Sequence, residues 1–346
     1  MNRFSFNEYP LLVYWELTRS CELACVHCRA EAMKRRHPDE LSFKEIKYVL
    51  SELSEKPVHL IITGGDPILR PDIFQILEFS TSLNISTSIT PAGTMRLDTD
   101  TLKRIKDTGV TSLGLSLDGS TPKLHDNLRK VDGSFLWTTK AIEESAKIGL
   151  PVQVNTMVTS ETLSDIPEVF KLLHKWPIMR WALFFLIPTG RGASLNEITP
   201  EESEQFLSEL YQMVRVAPFD IKTTEAHHFR RISLTQGKVK SQRIMGIRDG
   251  NGIMFISHTG DVYPSGFLPV KTGNVREEKA LKIYQDSPIF EALRNPDNFE
   301  GKCGKCEFRY VCGGSRARAY AYSGDYLGSD PLCPYEPRIH QTQVSV

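Results

Sequence analysis

The chain has 346 residues, 40% hydrophobic and 24% charged, with 42 Lys and Arg against 42 Asp and Glu. These values exclude a disordered chain, and the zero formal net charge excludes gripping nucleic acid through bulk positive charge. The seven cysteines are an odd number, so complete internal disulfide pairing is excluded as well.

The length points to about two domains. The first twenty residues hold no long apolar stretch and no small-residue cleavage site, so no signal peptide is expected. The most apolar run, Trp181 to Pro188, is too short to span a bilayer. The expectation is a cytoplasmic protein that contacts neither membrane nor nucleic acid.

Apolar strands alternate with amphipathic helices from the start. Strands are predicted at 11–17, 58–64, 85–90, 112–118, 152–159 and 180–188. The first helix carries Phe43, Ile46, Val49, Leu50 and Leu53 on one stripe, with Ser42 as N-cap. Others are predicted at about 72–82, 99–108, 135–148, 163–175 and 200–215, the last opening on Pro200 after Thr199. Six strand–helix pairs imply an α/β fold with a parallel sheet, open or curled into a partial (β/α)6 barrel. Ligands bind at the carboxyl ends of strands in such folds. The cysteines after strand one, Gly64–Gly65–Asp66 after strand two, and Ser116 and Asp118 after strand four all fall near that edge, as do Asn155 on strand five and Pro188–Gly190–Arg191. The alternation then breaks. A hairpin turning at Thr259–Gly260–Asp261 and a helix around 278–294 follow, dividing the chain into 1–228 and 229–346.

Cys21, Cys25 and Cys28 sit in one loop with gaps of three and two residues. Three thiolates so spaced can hold three corners of a cubane iron–sulfur cluster and leave one iron open to a ligand. Zinc is the competing reading, with His27 or His37 completing a Cys3His set.

The CxxxCxxC loop directly after a first strand, within WELTRSCELACVHCRAEA, resembles the signature of radical S-adenosylmethionine enzymes. The resemblance implies a [4Fe–4S] cluster whose open iron chelates the methionine end of S-adenosylmethionine, and cleavage to a 5'-deoxyadenosyl radical after reduction by a flavodoxin or ferredoxin. His27, before the third cysteine, then packs beside adenine. Gly64–Gly65–Asp66–Pro67 resembles the family's GGE motif at the methionine amino group, with Asp66 in place of Glu. Ser116 resembles the residue contacting carboxylate or ribose, Asn155 a ribose ligand, and Arg129 a basic residue near the carboxylate. Leu186 to Gly190 resembles the segment packing on adenine.

Cys303, Cys306, Cys312 and Cys333 supply four thiolates, a closed set for a second cluster; zinc fits less well, because a second CxxC pair is missing. This tail resembles the α+β extension called SPASM, or its shorter twitch relative. Ser265 stands where the fuller extension has a cysteine, and Gly314–Ser315 where another often falls. The resemblance therefore implies one auxiliary [4Fe–4S] cluster, for electron transfer and as a wall of the substrate site. Arg309, Arg316 and Arg318 could steer an acidic substrate, stabilise that cluster, or form surface ion pairs.

The FLIPTGRG and GGSRARAYA segments resemble the subgroup that modifies sirohaem- and coproporphyrin-type tetrapyrroles. A tetrapyrrole with carboxylate side chains would account for Arg191, Arg230 and Arg231 near the mouth. His227 and His228 could approach an iron porphyrin, although turn or helix-end roles suit them better. The rival substrate is a ribosomally made peptide, weakened by the roughly ten residues before strand one. A non-catalytic iron–sulfur electron carrier is a third reading, which the open-iron loop opposes.

Overall fold

The structure is a computed structural model, and it describes residues 6–237 and 246–338. Ten strands form one sheet: β1 (Leu12–Glu16), β2 (His59–Thr63), β3 (Ser86–Ile89), β4 (Ser112–Ser116), β5 (Val152–Val158), β6 (Arg180–Phe185), β7 (Asp220–Thr224), β8 (Ile253–Ile256), β9 (Asp261–Tyr263) and β10 (Gly273–Asn274). Their order is β10-β9-β8-β1-β2-β3-β4-β5-β6-β7. From β1 to β7 every neighbouring pair is parallel, with helices crossing over between strands. The α/β partial barrel expected from six strands is present, and β7 extends it by a seventh.

The helices start where their caps dictate. Ser42 and Glu45 form a reciprocal capping box ahead of the helix Phe43–Leu53, whose stripe Ile46, Val49, Leu50 and Leu53 is buried. Thr199 and Glu202 do the same for Pro200–Val216. The helix expected around 278–294 is two, Ala280–Asp286 and Pro288–Arg294. Pro288 has no N–H to continue the first helix, and its ring forces Ser287 into an extended backbone.

The hairpin after residue 246 joins the barrel. Its first strand, β8, pairs parallel with β1 at Leu12↔Ile253 and Trp15↔Ile256, and β9 and β10 follow antiparallel. Gly260 takes a φ of +88° at the β8–β9 turn, the left-handed conformation glycine permits. The expected division at 228/229 thus falls between β7 and β8, strands of the same sheet on opposite sides of β1.

The two faces of the sheet differ in chemistry. Outward residues such as Val13, Trp15, Leu60, Ile62, Leu115, Val154, Trp181 and Leu183 pack beneath the helices in one large core. Inward residues include Tyr14, His59, Ser88, Ser112, Ser116, Asn155 and Lys222, and they line a cavity of about 1050 Å³. Barrel interiors are ordinarily filled by branched apolar side chains. A polar, hollow interior is the fold's preparation for a ligand.

Candidate active site

The Cys21–Cys28 loop leaves β1 and is knitted to its surroundings by backbone bonds. Cys21 N donates to Met33 O (2.9 Å), Ala24 N to Arg129 O (3.2 Å) and Val26 N to Leu128 O (3.0 Å). The last two tie the loop to the end of the helix Pro122–Arg129, which the strand–helix reading had missed. Leu23 N and Ala32 N point at the sulfurs of Cys21 and Cys28, each at 3.4 Å. Arg129 Nη1 lies 3.6 Å from Cys25 Sγ and the same guanidinium pairs with Asp118. Burial pushes the Cys21 thiol up to about 12 and raises Cys25 too. Buried thiols surrounded by N–H donors suit thiolates whose charge a metal centre shares.

Zinc and a cubane make different demands on spacing. Tetrahedral zinc–thiolate bonds of 2.3 Å place sulfurs about 3.8 Å apart. Among the described residues, only Glu225, His227 and Asp249 bring three ligating atoms within 4.8 Å of one another; neither cysteine set does. His27 is turned toward Asp118, Nε2 to Oδ2 3.8 Å, and burial with the nearby Arg129 pulls its ring down to about 4. The ring is therefore neutral at physiological pH. His37 is partly exposed and stacks edge-on against His258.

Gly64 and Gly65 lie against the strand entering the loop. Gly65 N donates to Thr18 O and Asp66 N to Ser20 O, both at 2.7 Å. A Cβ on Gly64 would sit 2.5 Å from Thr18 O; one on Gly65 would sit 2.4 Å from Ser20 O and 2.7 Å from Arg19 O. Those neighbours are backbone and cannot rotate away. Gly65→Ala is expected to push the Arg19–Cys21 segment outward at about 1–3 kcal/mol. That corresponds to a roughly ten- to hundredfold weaker hold on S-adenosylmethionine, measured by equilibrium dialysis. Asp66 accepts from Ile68 N (3.1 Å) and Ala92 N (3.3 Å) through Oδ1, while buried Oδ2 has no partner. Burial lifts its carboxyl to about 6.

His27, Ser116, Asp118, Arg129 and Asn155 all line the barrel cavity. Asn155 Oδ1 accepts from Gln153 Nε2 at 2.8 Å. Gly64, Gly65, Asp66 and Leu186 do not line it. Leu186 packs instead near Gly192 and gives its carbonyl to Arg318 Nη2 (2.9 Å). Gly190 (φ +54°) approaches the loop so closely that a Cβ would stand 2.5 Å from Arg29 O.

The arginines expected at the mouth divide. Arg191 braces the cysteine loop, donating to Cys25 O (2.9 Å) and Ala32 O (3.0 Å). Arg231 pairs with Glu204 and stacks on Tyr335, away from the cavity. Only Arg230 of the three lines it. The histidines divide likewise. His228 is buried against Ser203 Oγ (2.9 Å), whereas His227 lines the cavity with both ring nitrogens unpartnered. Sequence reasoning passed over Asp118 as an ion-pair partner, and Lys222 and Glu225 altogether.

Cys303, Cys306, Cys312 and Cys333 line a second, small cavity with Arg231, Lys302 and Arg309. Phe308 N, Gly314 N and Asp330 N each point at a cysteine sulfur at 3.4 Å, as does Arg316 Nη2 at Cys303. Gly313 and Gly314, both at positive φ, turn the chain after Cys312. Arg230, Arg248 and Arg316 surround this site, and among the described residues none of them forms an ion pair with a carboxylate. Arg318 pairs with Glu197 and Asp330 and donates to Glu225 O (2.7 Å), binding the extension to the barrel. Arg309 pairs with Asp297 near the surface. Ser315 caps the helix Arg316–Ser323, and Ser265 Oγ accepts from Phe267 N (3.2 Å).

Residues 15–173 match the family model described as the Radical SAM superfamily. The chain is 37% identical over 341 residues to the AdoMet-dependent heme synthase of Methanosarcina barkeri, covering 95% of this chain and 97% of that protein. It is 28% identical to a mycofactocin maturase of Mycobacterium tuberculosis, over 94% of this chain and 83% of that one. Its fold is similar to Streptococcus suis SuiB bound to S-adenosylmethionine, with a TM-score of 0.75 at 19% identity, covering 95% of this chain and 78% of that one.

Proposed function

The chain belongs to the radical SAM superfamily, and from that premise we propose that it removes carboxyl groups from the side chains of an iron coproporphyrin-type tetrapyrrole. The observation that carries this reading is the likeness to the AdoMet-dependent heme synthase along nearly the whole of both chains. The hollow, partly cationic barrel interior supports it, because Arg230 and Lys222 face a cavity of about 1050 Å³.

When bound, the [4Fe–4S] cluster and S-adenosylmethionine supply a carbon-centred radical that takes a hydrogen atom from an unactivated C–H bond. Cys21, Cys25 and Cys28 would hold that cluster through three irons, leaving the fourth for S-adenosylmethionine. Asp66 Oδ2, buried and unpartnered, offers an acceptor for an ammonium group. Arg129, shared by Cys25 and Asp118, supplies positive charge for a carboxylate at the loop. Ser116 and Asn155 offer hydroxyl and amide groups to a ribose. Neutral His27 presents a ring face without a second charge. The cavity walls keep water from a reactive radical. Cys303, Cys306, Cys312 and Cys333 would enclose an auxiliary cluster on all sides, which suits electron transfer and not substrate ligation. The net negative charge of such a cluster answers Arg230, Arg248 and Arg316.

No described helix is long and apolar enough to cross a membrane. The test is anaerobic incubation of the reconstituted protein with dithionite, S-adenosylmethionine and iron coproporphyrin III. Each converted propionate is expected to lose carbon dioxide and two hydrogens, leaving a vinyl group, by mass spectrometry. An unchanged porphyrin alongside a mass-shifted candidate peptide would replace this reading with peptide maturation, the activity named for the 28% relative.

A further inference from the structure

Polar side chains gather on the inner face of the barrel below the cysteine loop, among apolar ones such as Leu12, Ile61 and Ile253. His59 holds Ser86 Oγ (2.8 Å) and Ser88 Oγ (3.0 Å) with its two ring nitrogens, and Ser88 reaches Ser112 Oγ at 2.7 Å. On the opposite wall, β5, β6 and β7 present Gln153, Arg180 and Lys222 to the same cavity. The two walls are close enough for their charges to interact. Burial pulls the His59 ring down to about 4, and the Lys222 and Arg180 charges pull it further in the same direction. Tyr14, buried beside them, likewise feels Arg180.

The cations here are under-paired, Arg180 weakly and Lys222 entirely. Arg180 reaches Gln153 Oε1 at 3.4 Å and the exposed Asp220 only at 3.6 Å. Lys222 is engaged in no hydrogen bond or ion pair among the described residues, although burial and Arg180 hold its ammonium down to about 8. Lys222 stands half-buried on the cavity wall, and a cation there with no counter-charge leaves that part of the cavity positive and attractive to an anion. A second carboxylate pressing on this region, Glu225, is itself buried and bonded to Ser315 Oγ. An incoming carboxylate would complete what the chain leaves open. Its oxygens suit both the point charge of Lys222 and the planar fork of Arg180.

We propose that Lys222 and Arg180 form a carboxylate subsite inside the barrel that anchors one unreacted acidic arm of the substrate. The subsite lies toward the amino-terminal ends of the strands, Arg180 being the first residue of β6 and Lys222 the third of β7, away from the strand ends where the cysteine loop sits, so it grips an arm remote from the reacting carbon. It rests on the tetrapyrrole reading for the identity of the ligand, and on the cavity alone for its charge preference.

Two binding arms test it with reconstituted protein. In the first, fluorescence titration compares metal-free coproporphyrin with its tetramethyl ester. Lys222→Met is expected to weaken binding of the free acid roughly ten- to hundredfold, the range for a hydrogen bond to a charged group, and to leave the ester unaffected. Lys222→Arg should recover most of the loss. Equal affinity of wild type and Lys222→Met for the free acid overturns the subsite. In the second arm, coproporphyrin and propionate are each tested for protecting Lys222 of the wild-type protein from reductive methylation, read by peptide mass spectrometry. Protection by propionate, with no porphyrin bound by the wild type, supports the subsite and overturns the tetrapyrrole reading. Protection by neither ligand overturns the subsite.

Discussion

Cys25→Ala is expected to abolish reductive cleavage of S-adenosylmethionine while leaving the fold intact. Cys25 is the middle thiol of its loop, and the loop is held by main-chain bonds on both sides of it: Ala24 N to Arg129 O and Val26 N to Leu128 O. Those bonds survive the substitution, so the backbone keeps its course. What disappears is the sulfur that Arg129 approaches at 3.6 Å. Two thiolates cannot secure a cubane that three hold with one iron open. Iron content of the anaerobically reconstituted protein should fall by about half if the second cysteine set is loaded independently. 5'-Deoxyadenosine should drop to background by liquid chromatography. Arg129→Met makes a sharper comparison, because it keeps all three thiols. It strands Asp118, a carboxylate buried to 3% exposure, and breaking such a pair costs about 3–5 kcal/mol. Arg129→Met should therefore lower the thermal midpoint more than Cys25→Ala does, with iron partly retained. Cleavage by Cys25→Ala at wild-type rate would refute the assignment of the loop as the cluster site.

The positions of these groups were legible in the sequence to different degrees, for physical reasons. The first six strands are apolar on the face toward the helices, and that pattern shows in any window of residues. β7 is Asp-Ile-Lys-Thr-Thr, with a single buried residue, because its inner face lines the cavity. With only Ile221 apolar in five residues, β7 offers periodicity too little to register, so the strand carrying Lys222 was the one overlooked. The hairpin was legible from its turn, but its parallel pairing with β1 was not, since nothing local records which edge a strand will join. Gly64 and Gly65 could be picked out by motif. Their reason, two backbone oxygens 2.5 Å or less from where a Cβ would stand, exists only once the chain is folded. The arginines misled most. Arg191, Arg230 and Arg231 look alike as charges, yet one braces the cysteine loop, one faces the cavity and one pairs with Glu204. Only partners distinguish them.

The second large effect concerns the four-cysteine set. Cys306→Ala is expected to halve the iron, preserve cleavage of S-adenosylmethionine and eliminate the decarboxylated product. The cleavage machinery lies on the β1 loop and its neighbours, and no residue of the second cavity lines the first. Cys306 is only half-buried, so alanine there leaves little void, whereas Cys312 is buried at 8% exposure and its loss would also disturb packing. Charge makes the effect larger than one missing ligand suggests. Burial raises the thiols of Cys306, Cys312 and Cys333, the last up to about 11, so without metal they are protonated and neutral. Arg230, Arg248 and Arg316 then keep only the weaker influence of Glu225 and Asp249, and Arg248 feels both of the other arginines. An uncompensated buried charge costs about 3–5 kcal/mol. The extension of Cys306→Ala should accordingly be cut by protease between residues 301 and 333 faster than that of the wild type. Chelation of iron from the wild-type protein should reproduce the lability. Substituting Arg248 by Met in the Cys306→Ala background should then relieve part of it, because removing a stranded cation removes the repulsion. Product formation at the wild-type rate by a Cys306→Ala protein holding half the iron would show that the reaction does not need the auxiliary site.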